Sequence, residues 1–381
     1  MTQLAFIGYG LRSSFMMNAF AGAGKDVRVA AIADPRADEL KAELAGAPFA
    51  ETRYYTAAEQ LLASETPDAV FIGTRCSLHT QLAGLVLAKK LPLFLEKPVC
   101  ISWAQYRRLA AAGAGQENRV LVSFPLRFAA VTAAIKSVIG SGALGRITMV
   151  QAVNNVPYGS VYYHSWYRDE SETGGLYLQK ATHDIDYIQY LLGSRAARVA
   201  AMSAKLHFKG EHPAGLRCPD CPERQTCPES DANVQYLYKE DVTGDGCCFA
   251  NDTGNNDNDT LIMTMEDGTL VSYNQSFVVK KSAGRRGARF VGTEGSAEFD
   301  FYTGEVRLDA YRANSVTVQK VTPLSTAHFG GDEGIARAFL DMLASAPSAA
   351  PLTAGLESAA VCLAAKQSAQ EGRFIDVDYS F

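Results

Sequence analysis

The stretch LAFIGYGLRS, Leu4–Ser13, decides the fold of the first part of the chain. Its first four residues form an apolar run that is typical of a buried strand, and this run passes directly into two glycines and a helical pattern. Gly8 permits a tight turn, and Gly10 lets a pyrophosphate approach the backbone where the helix begins. Ser13 stands where a third glycine is usual, so the turn alone is an incomplete match to a dinucleotide-binding pattern.

An acidic residue follows at about the distance where a ribose-binding carboxylate belongs. A second strand pattern, Val27–Ala33, ends at Asp34, which comes 26 residues after Gly8. The competing interpretation is that Asp34 caps the helix that begins near Pro35. Because strand, turn, helix and acid occur in order, the sequence favours dinucleotide binding. Asp34 would repel a 2′-phosphate, which favours NAD, but Arg36 could offset that repulsion and leaves NADP open.

Strand and helix patterns alternate through the first 123 residues. Short apolar runs at Ala69–Gly73, Leu93–Leu95 and Val120–Ser123 continue the series, with helical patterns between them. This alternation implies right-handed crossovers and a parallel, doubly wound sheet.

After Ser123 extended segments dominate the chain. They begin at Ile147, recur as far as Tyr311, and include the hairpin signal Asp267-Gly268. This pattern predicts an open, mostly antiparallel sheet with helices on one face. We therefore predict an α/β protein with a dinucleotide-binding domain over residues 1–123 and an α+β domain for substrate binding and oligomerisation over residues 124–381.

Composition excludes several classes of protein. With 381 residues, 47% of them hydrophobic and 20% charged, the chain is not disordered and is long enough for two domains. Its 36 basic and 41 acidic residues leave no basic excess for nucleic acid. We see no apolar run long enough to span a membrane and no signal peptide. Eight cysteines in a chain of this length indicate thiols or metal thiolates in a reducing cytoplasm.

Two polar stretches carry the candidate chemistry. Lys97, in Glu96-Lys97-Pro98, lies at the carboxyl end of a strand, where it could bind an oxygen or transfer a proton, although alone it would be a solvated lysine. In the helical pattern of residues 174–192, Gln179 and Lys180 precede His183 by four and three residues and so share its face. Asp186 could orient the imidazole.

A loop rich in cysteine suggests a structural metal. Cys218 and Cys221 form a Cys-x2-Cys pair, followed by Cys227 and by the adjacent Cys247 and Cys248. Four of these thiols suit a tetrahedral zinc site, to which only one of the adjacent pair could contribute. The alternative, reduced thiols packed in a loop, has about even weight, and four thiolates would leave no open position for catalysis.

Together these motifs resemble the glucose–fructose oxidoreductase, inositol dehydrogenase and MocA (Gfo/Idh/MocA) family. The resemblance rests on Glu96-Lys97-Pro98, Thr74–His79, Phe124–Arg127, and Gly174-Gly175 before the histidine helix, and it covers nearly the whole chain. It implies an N-terminal Rossmann domain, a C-terminal domain with an open sheet, and NAD(P)-linked oxidation of a sugar or polyol hydroxyl. It also implies a homo-oligomer, a dimer or tetramer, that pairs through the open sheets.

The family pattern also implies roles for individual residues. Lys97 would stabilise the developing alkoxide, and His183 would take the hydroxyl proton during hydride transfer to nicotinamide. The family carries an aspartate where this chain has Gln179, which cannot act as a carboxylate base, and Lys180 adds a cation nearby. The base role must then rest on His183 or a lysine. Cys247 is favoured as the fourth zinc ligand because it aligns better with a lone cysteine of similar family members.

The remaining candidates fall into two groups. Candidate cofactor-binding residues are Gly8, Gly10, Leu11, Arg12, Asp34, Arg36, Thr74, His79, Glu96 and Lys97, although a structural role is the better interpretation of His79. Candidate substrate-binding residues are Arg127, Tyr163, His164, Trp166, Arg168 and His328, each of which could equally serve packing.

The leading prediction is a cytoplasmic NAD(P)-dependent dehydrogenase of a sugar, sugar acid or cyclitol, with no nucleic-acid or membrane partner. Two alternatives stay open. One is an NAD-dependent glycosidase that works through a transient 3-keto intermediate, and the other is a cofactor-binding regulatory protein without turnover.

Overall fold

The computed structural model describes residues 1–24, 26–44, 46, 49–239, 243–322 and 327–380. The chain divides into two compact units. The first comprises Met1–Ala129, Leu324–Ala360 and Tyr379–Phe381, and the second comprises Ala130–Pro323 and Val361–Asp378.

The first unit is built on a parallel sheet of six described strands. Their order is β3-β2-β1-β4-β5-β6, the classic order of dinucleotide-binding domains. The strands are β1 (Thr2–Ile7), β2 (Val27–Ala33), β3 (Arg53–Tyr55), β4 (Ala69–Ile72), β5 (Leu93–Leu95) and β6 (Val120–Val122). All neighbours in this sheet pair in parallel, which confirms the predicted doubly wound sheet.

Helices connect these strands. They are α1 (Leu11–Gly22), α2 (Ala37–Glu43), α3 (Ala58–Ser64), α4 (His79–Ala88) and α5 (Trp103–Gly113), each within two residues of its predicted bounds. The core between sheet and helices is aromatic: Phe71 stacks on Phe94, with ring centroids 4.9 Å apart, and Phe20 meets Phe94 edge-on at 5.7 Å.

A late segment of the chain returns to the first unit, which differs from the predicted boundary between residues 123 and 124. Residues 331–343 form a helix whose Phe339 packs edge-on against Phe94, with ring centroids 5.3 Å apart. The amide of Val122, at the end of β6, donates to the carbonyl of Ala350. Sequence pattern could not show this return, because the partners lie more than 200 residues apart.

The second unit contains a mixed sheet of nine described strands. Their order is β14-β13-β12-β11-β7-β10-β9-β8-β15, and only the β7–β10 pair is parallel. The strands are β7 (Ile147–Asn155), β8 (Ala196–Ala204), β9 (Asn258–Met265), β10 (Leu270–Ser276), β11 (Arg285–Gly292), β12 (Gly295–Asp300), β13 (Glu305–Ala310), β14 (Ser315–Lys320) and β15 (Ile375–Asp376). The predicted mostly antiparallel sheet is therefore confirmed, as is the hairpin at Asp267-Gly268.

The remaining helices complete the chain. They are α6 (Ala130–Gly140), α7 (Val161–His164), α8 (Glu170–Thr173), α9 (Thr182–Leu192), α10 (Asp231–Asn233), α11 (Gly331–Leu343) and α12 (Leu352–Glu371). In the described ranges, no helix is both long enough and apolar enough to cross a membrane.

Three strands differ from the sequence interpretation. β3 has only three residues, and all six residues of β14 are exposed, so neither shows the alternation that marks a half-buried strand. β8 was expected at Ala200–Phe208 but spans Ala196–Ala204.

Candidate functional site

The turn after β1 has the geometry that its glycines predicted. Gly8 has a φ of +79°, and a Cβ there would lie 2.6 Å from Cγ2 of Thr74 and 2.9 Å from the carbonyl of Gly73. Only glycine fits this position without strain. Gly10 has no atom within 4 Å of the place that a Cβ would take, so the backbone is open to a close ligand where α1 begins. Leu11, the first residue of α1, is exposed.

Ser13 replaces the third glycine without opening the contact between helix and strand. Its hydroxyl donates to the carbonyl of Gly8 at 2.8 Å. Gly73, after β4, has no side chain on the facing side, and a Cβ there would lie 2.5 Å from Oγ of Ser13. The close approach is therefore retained, because the small side chain of Ser13 meets a glycine.

Asp34 is held in place by backbone groups at the end of β2. One carboxylate oxygen accepts from the amide of Tyr9 at 2.9 Å, and the other accepts from the amide of Arg36 at 2.9 Å. The Arg36 guanidinium turns back on the same group, with Nε 3.4 Å from Oδ1 of Asp34, and donates to the carbonyl of Tyr9. The carboxylate, the amides of the glycine turn and the open backbone at Gly10 fit a dinucleotide.

Lys97 follows β5, next to the strand after which the Thr74 segment begins. Its neighbour Glu96 accepts from Nε of Arg12 at 2.7 Å, and Arg12 also pairs with Asp332 at 2.8 Å. Arg12 therefore ties the glycine turn to the segment that carries Lys97, which is itself half-buried. Arg12 and Glu96, predicted as cofactor ligands, are thus placed in a network of charges beside the cofactor edge.

His328 belongs to the same network. Its Nδ1 lies 2.9 Å from Oδ2 of Asp332. Burial would raise the pKa of Asp332, but the hydrogen bond and charge of His328, together with Arg12, hold that pKa below its usual range. His328 and Phe329 both have positive φ, at 43° and 56°, a conformation that costs free energy in residues other than glycine.

His79 lies behind the cofactor edge of the sheet. Its Nδ1 is 2.8 Å from the carbonyl of Pro98, and its Nε2 is 3.3 Å from the carbonyl of Thr74. Burial lowers the pKa of this imidazole. Both ring nitrogens face backbone carbonyls, so His79 links the Thr74 segment to the one that follows Lys97.

In the second unit, the predicted histidine helix begins with a wider turn. Residues Tyr177–Ala181 are π-helical and lead directly into α9. The prediction of one regular α-helix is therefore wrong for the turn that carries Gln179 and Lys180. Such turns occur frequently at functional sites. Gln179, Lys180 and His183 are all buried, with at most 5% of each exposed.

Lys180 makes its hydrogen bond to a phenol rather than to a carboxylate. Its Nζ donates to the hydroxyl of Tyr158 at 2.6 Å, and it lies 4.7 Å from the centroid of the Tyr158 ring and 5.7 Å from that of Tyr162. Burial lowers the pKa of Lys180. The ammonium is thus surrounded by aromatic groups.

A buried ion pair stands behind this contact. Nε of Arg286 donates to Oδ1 of Asp184 at 2.7 Å, and at least 97% of each side chain is buried. Asp184 also accepts from Nδ2 of Asn154 at 2.8 Å and from the hydroxyl of Tyr273 at 2.9 Å. The carboxylate is therefore fully engaged, and Arg286 supplies a second positive charge near Tyr158 and Lys180.

Two predicted substrate residues, Tyr163 and His164, point into the interior of the second unit. The Tyr163 hydroxyl donates to the carbonyl of Asn256 at 2.7 Å, and its ring stacks on Phe208 at 3.9 Å. His164 places Nδ1 2.7 Å from the carbonyl of Gly246 and 3.9 Å from the thiol of Cys218. These contacts put the first in an aromatic cluster and the second beside the cysteine loop.

The other predicted substrate residues also have protein partners. Arg168 pairs with Asp252 at 2.5 Å, and the half-buried ring of Trp166 stacks on Tyr167 at 4.1 Å. Arg127, in the first unit, donates to the carbonyl of Ala349. These six candidates, His328 included, are not gathered in one place within either unit.

The cysteine loop closes around a cavity of about 230 Å³, whose lining includes all five thiols of the loop. Burial raises the pKa of Cys218 to about 11 and also raises the pKa of Cys227 and Cys247. Cys248 belongs to the aromatic cluster of Tyr163 and Phe208, so the adjacent pair is divided as expected. As the described side chains stand, no three Cys, His, Asp or Glu residues form a group that could hold a metal ion. Zinc stays a prediction.

Sequence reasoning missed Tyr158, Arg286 and Asp332. Arg286 and Asp332 are charged residues with at most 5% exposure, and each reaches its partners only through long-range contacts. The one available signal was an arginine inside the predicted strand region that precedes Ala288.

Comparison with known proteins agrees with this geometry. A family model described as an oxidoreductase family with an NAD-binding Rossmann fold matches residues 2–124, and a GFO/IDH/MocA C-terminal domain model matches residues 132–298. The fold and the glycine turn define an NAD-binding Rossmann oxidoreductase. The chain belongs to the Gfo/Idh/MocA family.

Its similarity to individual proteins is moderate. It is 26% identical to YteT of Bacillus subtilis, over 67% of this chain and 65% of YteT, slightly less than two thirds of that protein. It is 27% identical to an inositol 2-dehydrogenase of Streptomyces avermitilis, over 76% of this chain and 78% of the relative. A solved levoglucosan dehydrogenase in complex with NADH and levoglucosan matches with a TM-score of 0.79 at 18% identity over 99% of each chain, which shows a shared fold.

Proposed function

We propose that this protein is an NAD-dependent dehydrogenase that oxidises a secondary hydroxyl of a sugar, sugar acid or cyclitol. The observation that carries the proposal is the carboxyl edge of the parallel sheet, where the glycine turn, Asp34 and Lys97 follow β1, β2 and β5. Ligands of such sheets bind at this edge, beside the point where the strand order reverses. The inositol 2-dehydrogenase relative makes a cyclic polyol a reasonable substrate class.

The residues of this chain would divide the work as follows. Bound nicotinamide supplies the hydride acceptor. Lys97 would hold the substrate oxygen and stabilise the negative charge that develops on it, since an ammonium ion at a fixed place needs no reorganisation when charge appears. His183, on the helix of the second unit, would take part in proton transfer, while Gln179 can only donate or accept a hydrogen bond.

The experiment that tests this function is a substrate panel of sugars, sugar acids and cyclitols with NAD. Net formation of reduced nicotinamide together with a ketone product supports a dehydrogenase. Release of an aglycone without net reduction would instead identify the glycosidase alternative. Saturable NAD binding without turnover of any compound would support the regulatory alternative.

The choice of cofactor gives a first prediction. We expect NAD to bind more tightly than NADP, because the Asp34 carboxylate lies where a 2′-phosphate would have to sit. In Asp34→Asn we expect NADP to bind about tenfold more tightly, as a repulsion of about 1–2 kcal/mol disappears. NAD should bind more weakly, since one backbone amide loses its acceptor. Fluorescence titration of both cofactors measures these changes.

Arg36→Gln is the matched control. It removes the positive charge beside the same carboxylate and should weaken NADP binding more than NAD binding. Tighter binding of NADP than of NAD by the wild-type protein would contradict the proposed preference.

The proposal includes a homo-oligomer, a dimer or tetramer, that pairs through the open sheet of the second unit. Its support is a set of exposed apolar side chains on β7–β10: Met149, Met202, Ile262 and Leu270. Such a face on a sheet is typical of an interaction site. A cytoplasmic location is also proposed, and the eight free cysteines support it.

Structural zinc in the cysteine loop is part of the proposal and gives a second prediction. Purified protein should carry about one equivalent of zinc per chain, held by Cys218, Cys221, Cys227 and Cys247. Elemental analysis after mild chelation is the measurement. Cys221→Ser should lose the metal, whereas Cys76→Ser, in the first unit, should keep it. Metal-free protein whose four loop thiols react with a thiol reagent would leave the packed-thiol interpretation.

A further inference from the structure

The Tyr158–Lys180 contact has a form that structural packing does not require. A buried ammonium ion is costly and is usually paired with a carboxylate. Lys180, with 5% of its surface exposed, instead donates to a phenol oxygen at 2.6 Å. A hydrogen bond that involves a charged group at this distance is strong, and it stabilises the ionised phenolate more than the neutral phenol.

Tyr158 is accessible although its partner is not. It is 37% exposed, so a small molecule can reach it from outside while Lys180 lies behind it. The groups that face its hydroxyl are Lys180, Arg286, Asp184, Tyr162 and Tyr302. Their protein surroundings alone would raise the pKa of Tyr158, but the charges of Lys180 and Arg286 outweigh this effect and lower it.

The proposed reaction lacks a carboxylate base in this helix. Gln179 cannot accept a proton, yet a dehydrogenase must remove one from the substrate hydroxyl. Lys180 follows Gln179 directly in the same π-helical turn, and its hydrogen bond brings an accessible, ionisable oxygen to that turn.

We propose that Tyr158 exchanges the proton with the substrate hydroxyl and that Lys180 positions and charges it for that role. This inference rests on the proposed dehydrogenase function and concerns the same site. Tyr158 is the catalytic residue, and Lys180 is a positioning residue that acts through it. His183 would then orient the substrate oxygen together with Lys97.

The proposed step is balanced. In the direction of oxidation, the substrate O–H bond breaks and its proton passes to the phenolate oxygen of Tyr158, giving the neutral phenol. The electron pair left on the substrate oxygen forms the second carbon–oxygen bond as the hydride leaves the carbinol carbon for the oxidised cofactor. The phenol then returns its proton to water.

The first test uses the cofactor-free protein, so that it does not depend on activity. Tyrosine labelled with ¹³C at the ring carbon bonded to oxygen reports ionisation of each phenol in an NMR pH titration. The resonance absent from Tyr158→Phe should titrate at lower pH than ordinary tyrosine. In Lys180→Met it should move to higher pH, because the positive charge has gone, and Lys180→Arg should restore part of the shift. Met fits the buried, apolar surroundings of Lys180, so this variant should fold.

Tyr236 and Lys239 are the matched control. Lys239 also lies over a tyrosine ring, 5.3 Å from the Tyr236 centroid, but Tyr236 is 73% exposed. Because water screens this pair, Lys239→Met should leave the titration of Tyr236 almost unchanged.

The second test uses kinetics on a substrate found with the panel. Tyr158→Phe should lower kcat by about 10²–10⁴-fold, the usual contribution of a general acid–base group, while the Kd for NAD stays constant. Lys180→Met should move the alkaline rise of the kcat profile to higher pH rather than simply reduce the rate.

The outcomes separate this inference from the proposed function. A titration of Tyr158 at the ordinary pH, unchanged in Lys180→Met, would overturn the pair. Normal kcat and an unshifted pH profile in Tyr158→Phe, with dehydrogenase activity present, would overturn its role and leave the function standing. A lowered titration that depends on Lys180, without oxidation of any panel compound, would retain the pair and overturn the dehydrogenase.

Discussion

Lys97→Met is expected to lower kcat by about 10²–10³-fold while the Kd for NAD changes little. Methionine keeps the length of the side chain but removes the charge that would hold the developing alkoxide, and removal of one preorganised donor typically has an effect of this size. The lysine stands at the carboxyl edge of the sheet, after β5, and its neighbour Glu96 is anchored by Arg12. Steady-state kinetics and fluorescence titration on the same preparation separate turnover from cofactor binding.

Lys89→Met is the control for the loss of a lysine in the same unit. Lys89 is exposed at the end of α4, on the opposite edge of the sheet from Lys97, so kcat should stay at the wild-type value. His183→Ala should lose turnover and retain NAD binding, as for Lys97→Met. Wild-type rates in both Lys97→Met and His183→Ala would place the chemistry elsewhere.

Arg286→Met is expected to reduce the stability of the second unit by about 3–5 kcal/mol. It leaves the Asp184 carboxylate buried with two hydrogen bonds but no positive partner, and breaking a fully buried pair from one side is strongly destabilising. The double variant with Asp184→Asn should recover part of the loss, because the uncompensated charge is gone.

The two tryptophans allow this change to be measured in one unit. Trp103 lies in the first unit and Trp166 in the second, so in a Trp103→Phe background the fluorescence reports unfolding of the second unit in urea. Arg312→Met is the control, since Arg312 is 83% exposed in its pair with Glu294 and a solvated pair contributes little. An unchanged midpoint in Arg286→Met would show that the pair does not stabilise the native state.

Local sequence was sufficient to predict the first unit and its cofactor edge. In the turn from Gly8 to Ser13, each requirement concerns neighbours in the chain: a positive φ at Gly8, open backbone at Gly10, and a helix that begins directly after it. Asp34 and Lys97 could be placed for the same reason, because a residue that ends a parallel strand lies at a known edge of the sheet. Ser13 needed the structure, since its fit depends on Gly73, 60 residues later.

Tertiary structure alone decided which polar side chains meet. Tyr158, Lys180 and Arg286 come from a loop, a π-helical turn and β11, and nothing in the local pattern of any of them indicates the other two. The same holds for Arg12 with Asp332, 320 residues apart, and for Tyr163 and Arg168, whose partners lie in a distant loop. Strand and helix patterns depend on solvent exposure along a short segment, whereas these contacts depend on how distant segments pack, so periodicity could predict the elements but not the side chains that they bring together.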